Sequence, residues 1–109
     1  MQPPRGLFDA ALAQALLGKY VLIGVTYLDA DGKPTRQEEV HGVVIAATAQ
    51  EGFLFQLRGS RKGTEYRLPP DTSGFVKAQP GEYRLNSTGE VVTDPDFTCT
   101  WSVWPPRSA

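Results

Sequence analysis

The side chains in this sequence that are of the kinds that do chemistry are few and widely spaced. Histidine occurs once, at His41, and cysteine once, at Cys99. Nucleophilic catalysis needs a nucleophile beside a base, with a third group to orient the base. Cys99 with His41 is the one thiol–imidazole pair the inventory allows. His41 stands among Val40, Gly42, Val43 and Val44 and reads as a structural strand residue. Cys99 alternates with Phe97 and Trp101 and reads as a small buried hydrophobe, without the cationic setting that activates a thiol. One His and one Cys leave zinc to the carboxylates. Asp94-Pro95-Asp96 lacks the ordered oxygen ligands and terminal Glu of a calcium loop, and it reads as a turn capped by its own Asp side chains. Glu90 joins Asp94 and Asp96 in a small acidic patch. No catalytic, cofactor or metal residue is assigned.

Binding has more to work with. Arg58-Gly59-Ser60-Arg61-Lys62-Gly63, followed by Arg67, gathers positive charge at a strand connection. It lacks the Lys-Ser/Thr ending of a phosphate-cradling loop. Its functional reading is an anion or nucleic-acid contact with Tyr66 as a stacking face, and its bland reading is a solvated hairpin tip. Leu68-Pro69-Pro70-Asp71 and Pro80-Gly81-Glu82-Tyr83-Arg84-Leu85 bracket a long connection, and long loops in compact domains are functional or are ordered covers. Tyr83, Arg84 and Trp104 are of the types that anchor protein interfaces. The candidate interaction surface is therefore Arg58, Arg61, Lys62, Arg67, Tyr83, Arg84 and Trp104.

These residues need a scaffold, and apolar periodicity supplies one. Phe8, Leu12 and Ala15 with Leu16 recur at helical spacing within 7–17, ending at Gly18. Three turns are too few to stand alone in water, so this helix must dock on apolar surface. From Tyr20 the period becomes two. A strand over 20–28 is apolar on both faces and is either central in a sheet or covered by the helix. A second strand over 38–48 carries Gly42, which suggests a bulge or bend. Strands follow over 53–58 and 64–68, and Pro69 ends the latter. Residues 71–81 read as a connection with a short helical turn, and 83–92 as a weak hairpin or an ordered loop. The last strand, 97–103, points Phe97, Cys99, Trp101 and Val103 one way. Glu-Tyr-Arg-Leu occurs twice, at 65–68 and 82–85, which is too short to be a duplication.

Length and charge bound the whole. The chain has 109 residues, room for one domain, taken as 7–104 with flexible ends at 1–6 and 105–109. A net charge of -1 supplies no general attraction for nucleic acid or anionic membrane. The start has neither the charged leader nor the continuous apolar run of a secretory signal, so the expected location is cytoplasmic. The expected fold is α+β, mainly β: a small open antiparallel barrel of Sm-like element order with the N-terminal helix packed on it.

Leu68-Pro69-Pro70-Asp71, Pro80-Gly81-Glu82-Tyr83-Arg84-Leu85, Ser87-Thr88-Gly89-Glu90-Val91-Val92, Asp94-Pro95-Asp96-Phe97 and Thr100-Trp101 together form a distinctive pattern. Tyr27-Leu28-Asp29-Ala30-Asp31-Gly32 and His41-Gly42 extend it. The pattern resembles a family of small bacterial proteins of uncharacterised function. That resemblance implies a bacterial source and a cytoplasmic location, and it transfers no activity. The expected function is a non-enzymatic protein-interaction module, immunity-type or self-associating, without cofactor. The alternative is an RNA-binding small barrel using the loop from Arg58 to Arg67, and an enzyme ranks third.

Overall fold

The computed structural model describes residues 8–105. Helix α1, Ala10–Leu16, opens with Asp9 as its N-cap, the Asp9 side chain accepting from the Leu12 backbone N–H. Ala13 and Leu16 are its buried residues, with Phe8 and Leu12 packed partly beneath. Ala15, expected on that face, is exposed, and Ala13 is buried in its place. The expected first helical residue, Leu7, lies outside the described residues, as do 1–6 and 106–109.

Eight strands follow: β1 (Tyr20–Leu28), β2 (Pro34–Thr48), β3 (Gly52–Leu57), β4 (Glu65–Leu68), β5 (Phe75–Lys77), β6 (Glu82–Arg84), β7 (Val91–Thr93) and β8 (Phe97–Val103). Six of them form one sheet in the order β4-β3-β2-β1-β8-β5, while β6 and β7 form a separate hairpin. The fold is α+β and mainly strand. The sheet is mixed rather than antiparallel, because β8 runs parallel to β1. Strand direction leaves no mark on side-chain periodicity, so alternation predicted β8 but not its sense. β5 replaces the helical turn expected in 71–81: Gly74 O accepts from Thr100 N and draws this segment onto the edge of β8.

Gly42 makes no bulge. A Cβ there would come within 2.9 Å of Leu57 Cα, so the residue serves a close approach of β2 to β3. The register shift falls instead between Val44 and Ala46, which leaves Ile45 exposed.

The ladders sort the sheet into two faces. Val21, Ile23, Val25, Val40, Val44, Phe53, Phe55, Leu57, Phe75 and Cys99 form the main core on the first face, closed by α1. Register places Tyr20, Leu22, Gly24 and Thr26 on the second face beside Val43, His41, Glu39 and Gln37, with Thr98, Thr100 and Ser102 across from them.

Candidate functional site

The second face carries the chemistry. Tyr20 and His41 project from neighbouring strands, and Glu90 comes down from the turn between β6 and β7. Tyr20 Oη lies 2.6 Å from His41 Nδ1, and His41 Nε2 lies 2.9 Å from Glu90 Oε1. Glu90 is held down to about 2, first by the Ser60 side-chain hydrogen bond and then by that of His41. An ionised carboxylate can only accept, so His41 donates from Nε2; in the tautomer with its single proton there, Nδ1 accepts from the Tyr20 hydroxyl. Ser60 N donates to the same carboxylate at 3.3 Å.

Gly59 makes room for this chain of bonds. Its φ is +69°, and a Cβ would overlap the Glu90 carboxylate and come within 2.6 Å of His41 Nε2. The Arg58 guanidinium sits over the Tyr20 ring, 4.7 Å from its centroid. Burial raises the Tyr20 hydroxyl above its ordinary value, the Arg58 charge pulls it back, and the Glu90 carboxylate adds to the rise. Tyr20 therefore remains a hydrogen-bond donor at neutral pH. The arrangement holds β1, β2, the 58–61 turn and the β6–β7 hairpin in one place.

The hairpin is fastened at a second point. Glu39 Oε1 accepts from Asn86 N at 2.6 Å and Ser87 N at 3.2 Å. Leu85 and Val92, fully buried and outside the main core cluster, lie beneath this roof. The roof covers only the middle of the second face. On one side an open groove of about 220 Å³ is lined by Gly24, Thr26, Gln37, Glu39, Thr100 and Ser102 among others. On the other a cleft of about 410 Å³ is lined by Val43, Gln56, Leu57, Arg58, Lys62 and Gly63.

The basic loop is neutralised in part by its neighbours. Arg61 pairs with Glu38, which also accepts from Tyr27 Oη at 3.1 Å. Burial works against the Glu38 charge, yet the hydrogen bonds from Arg61 and Tyr27 bring its carboxyl below the ordinary value. Arg67 donates to Glu51 O at 2.9 Å. Among the described residues, Arg58 and Lys62 make no ion pair. Tyr83 donates to Gln79 O at 2.6 Å and Arg84 reaches Gly89 O at 3.5 Å, so both serve the hairpin. Trp104 is 59% exposed, and a Cβ on Gly32 would lie 3.1 Å from its ring. It rests on the β1–β2 turn.

Cys99 faces the main core, on the side of the sheet opposite His41, and burial pushes its thiol up to about 12. The two do not converge. Asp94 and Asp96 do not act together with Glu90 either. Asp94 Oδ1 accepts from Gly81 N at 2.7 Å and Asp96 Oδ2 from Tyr20 N at 2.9 Å. Among the described residues no cluster of His, Cys, Asp and Glu has the makings of a metal site. No described helix is long and apolar enough to cross a membrane.

Sequence reasoning found His41 but missed its partners. Tyr20 read as the start of a strand and Glu90 as part of an acidic patch. The one available signal was Gly59, a glycine between two charged or polar neighbours whose missing side chain the contact requires. No family model, curated protein or solved structure matches the chain.

Proposed function

We propose that this chain is a non-enzymatic protein-interaction module that presents the open part of the second face to a partner protein. The observation that carries this reading is the groove beside the roof. Its floor is Gly24 flanked by Thr26, Thr100 and Ser102, with Gln37 and Glu39 along one wall. Past one end lies Trp104; towards the other, on the same face by register with Thr98, lies Val76, 61% exposed. An exposed Trp beside a row of hydroxyl and amide groups suits a hot spot with a polar surround.

The use of His41 supports the non-enzymatic part. Both ring nitrogens are committed to fastening the roof, and its nearest hydroxyl is a phenol held in its protonated form. The nucleic-acid reading retains Arg58 and Lys62 of its four cations, a pair too small for strong phosphate-driven affinity. The small-barrel reading of the architecture draws support from Phe75. Its ring centroid lies 4.8 Å from that of Phe53 and 6.3 Å from that of Phe55, so β5 at one end of the sheet packs against β3 near the other. A bacterial, cytoplasmic setting is what the family resemblance implies; an immunity-type or self-associating protein is the version of such a module that works by surface complementarity alone.

Gly24 supplies the test. A Cβ there meets nothing within 4 Å, so Gly24→Val fills the groove without a clash in the fold. Immobilised wild-type chain is expected to capture one partner, or a second copy, that Gly24→Val and Trp104→Ala both lose while remaining folded. Equal capture by all three proteins ends the proposal.

A further inference from the structure

We propose that the cleft on the other side of the roof is a separate site for a small organic anion, a carboxylate or phosphate monoester carrying a compact apolar group. Its floor is Val43 and Gln56, adjacent on the second face through the β2–β3 ladder. Leu57, Arg58, Lys62 and Gly63 complete it, and the volume of about 410 Å³ lies in the range of small-molecule pockets.

Charge decides the class. The chain as a whole is slightly acidic, with 11 Lys and Arg against 12 Asp and Glu. This cleft nevertheless has two cations on its wall and no carboxylate in its lining. The other two cations of this stretch are already paired: Arg61 with Glu38, and Arg67 with Glu51. Arg58 and Lys62 are the pair left facing one space.

Two acids flank the cleft without entering it: Glu65, opposite Gln56 on the β3–β4 ladder, is exposed and outside the lining, and Glu90 is turned away. Glu90 is engaged by His41 and Ser60 behind the cleft. Arg58 is also held in place. Its backbone N–H donates to His41 O at 2.8 Å, fixing the main chain, and its guanidinium rests on the Tyr20 ring. A cation fixed before the ligand arrives loses less side-chain entropy on binding.

The remaining lining narrows the ligand further. Gln56 offers an amide for one hydrogen bond, while Val43 and Leu57 offer apolar contact, so an anion with an organic body makes contacts that an inorganic ion cannot. Gly63, at φ +92° and with nothing within 4 Å of where a Cβ would stand, leaves its side of the cleft clear. The site does not depend on the groove beyond the roof, so either proposal can fail alone.

Titration of the full ¹⁵N-labelled chain with benzoate, phenyl phosphate, inorganic phosphate and a short oligothymidylate tests this. Saturable amide shifts at Val43, Gln56, Arg58, Lys62 and Gly63 with benzoate or phenyl phosphate are expected, and which of the two binds tells carboxylate from phosphate. Arg58→Gln is expected to weaken binding about tenfold or more, as expected for loss of a charged hydrogen bond. Lys62→Glu leaves Arg58 on the Tyr20 ring and should show the same loss, keeping the test valid if Arg58→Gln disturbs the turn. Three results overturn the proposal: no saturable shift with either organic anion by about 10 mM, inorganic phosphate binding as well as phenyl phosphate, or the oligonucleotide binding more tightly than either.

Discussion

Glu-Tyr-Arg-Leu at 65–68 and the same four residues at 82–85 adopt one pattern in two parts of the molecule. In each copy Glu is exposed, Tyr half-buried, Arg exposed and Leu buried. The first copy is β4, the end strand of the large sheet, and Leu68 belongs to the main core. The second begins with β6, in the hairpin that roofs the other face, and Leu85 is buried apart from that core. Their tyrosines differ accordingly. Burial, with Tyr27 and Glu38 adding to it, pushes the Tyr66 hydroxyl up to about 12, whereas Tyr83 donates to a carbonyl of its own loop. Alternation therefore decides which side of a strand is apolar. Long-range contacts decide which core receives it.

The widest separation should come from shortening the two leucines. Leu68→Ala removes methyl groups from the main core and is expected to cost about 3 kcal/mol of global stability. Leu85→Ala removes the same atoms from beneath the roof, held otherwise by Glu39 and Glu90, and should cost about 2 kcal/mol. Native-state amide exchange distinguishes them. Protection should fall throughout the large sheet for Leu68→Ala, and chiefly over 82–93 for Leu85→Ala. If both variants lower protection uniformly, the roof and the sheet are one cooperative unit and the comparison collapses.

Gly59→Ala comes next and acts on the roof alone. It places a Cβ against the Glu90 carboxylate at a backbone angle that L-residues rarely adopt. Strain of about 1 kcal/mol and a broken buried hydrogen-bond chain of about 1–2 kcal/mol predict a loss of about 2–3 kcal/mol by urea unfolding. A loss below about 0.5 kcal/mol, within the range of neutral surface changes, would mean that the Tyr20–His41–Glu90 chain does not fasten the roof.

These contacts mark where the sequence was readable and where it was not. β1 and β8 were legible to the residue, because their apolar positions alternate without interruption and one face of each is filled by the core. β5 was not. Three residues, with Val76 and Lys77 exposed, carry no period of their own and become a strand only where β8 offers an edge. The site divides the same way. His41 stood out by residue type, but Tyr20 and Glu90 reach it through a strand pairing and a hairpin 49 residues downstream, neither of which leaves a local trace. The basic loop was conspicuous as a run of charge. That Arg61 and Arg67 are consumed by Glu38 and Glu51 depends on a neighbouring strand and a turn that one-dimensional spacing does not bring together.

Acid provides a finer probe of the roof. The Glu90 carboxyl ordinarily titrates near 4.5 and is held at about 2 in the fold. A lowered folded value means that its ionised form stabilises the native state. The contribution is fully present above about pH 4.5 and disappears as pH falls towards 2. Glu90→Gln should flatten the stability–pH curve across that window. At pH 7 it should cost about 1 kcal/mol, since the amide still bonds Ser60 and His41 but without charge. An unchanged acid slope in Glu90→Gln would place the source of acid sensitivity elsewhere, with Glu38 the first alternative.

The smallest effect belongs to the open part of the second face. Gly24 occupies the middle of a nine-residue strand with no atom within 4 Å of its missing side chain. Glycine in a strand interior is less stable than alanine there by about 0.5–1 kcal/mol, because the unfolded chain has more freedom to lose. A β-branched residue also favours the extended backbone. Gly24→Val should therefore leave urea stability unchanged or raise it by up to about 1 kcal/mol. If Gly24→Val instead destabilises by more than about 1 kcal/mol, the groove is not open space. It would then be closed in solution by neighbouring residues, and the contrast between roofed and open halves would fail at the point where the proposed partner docks.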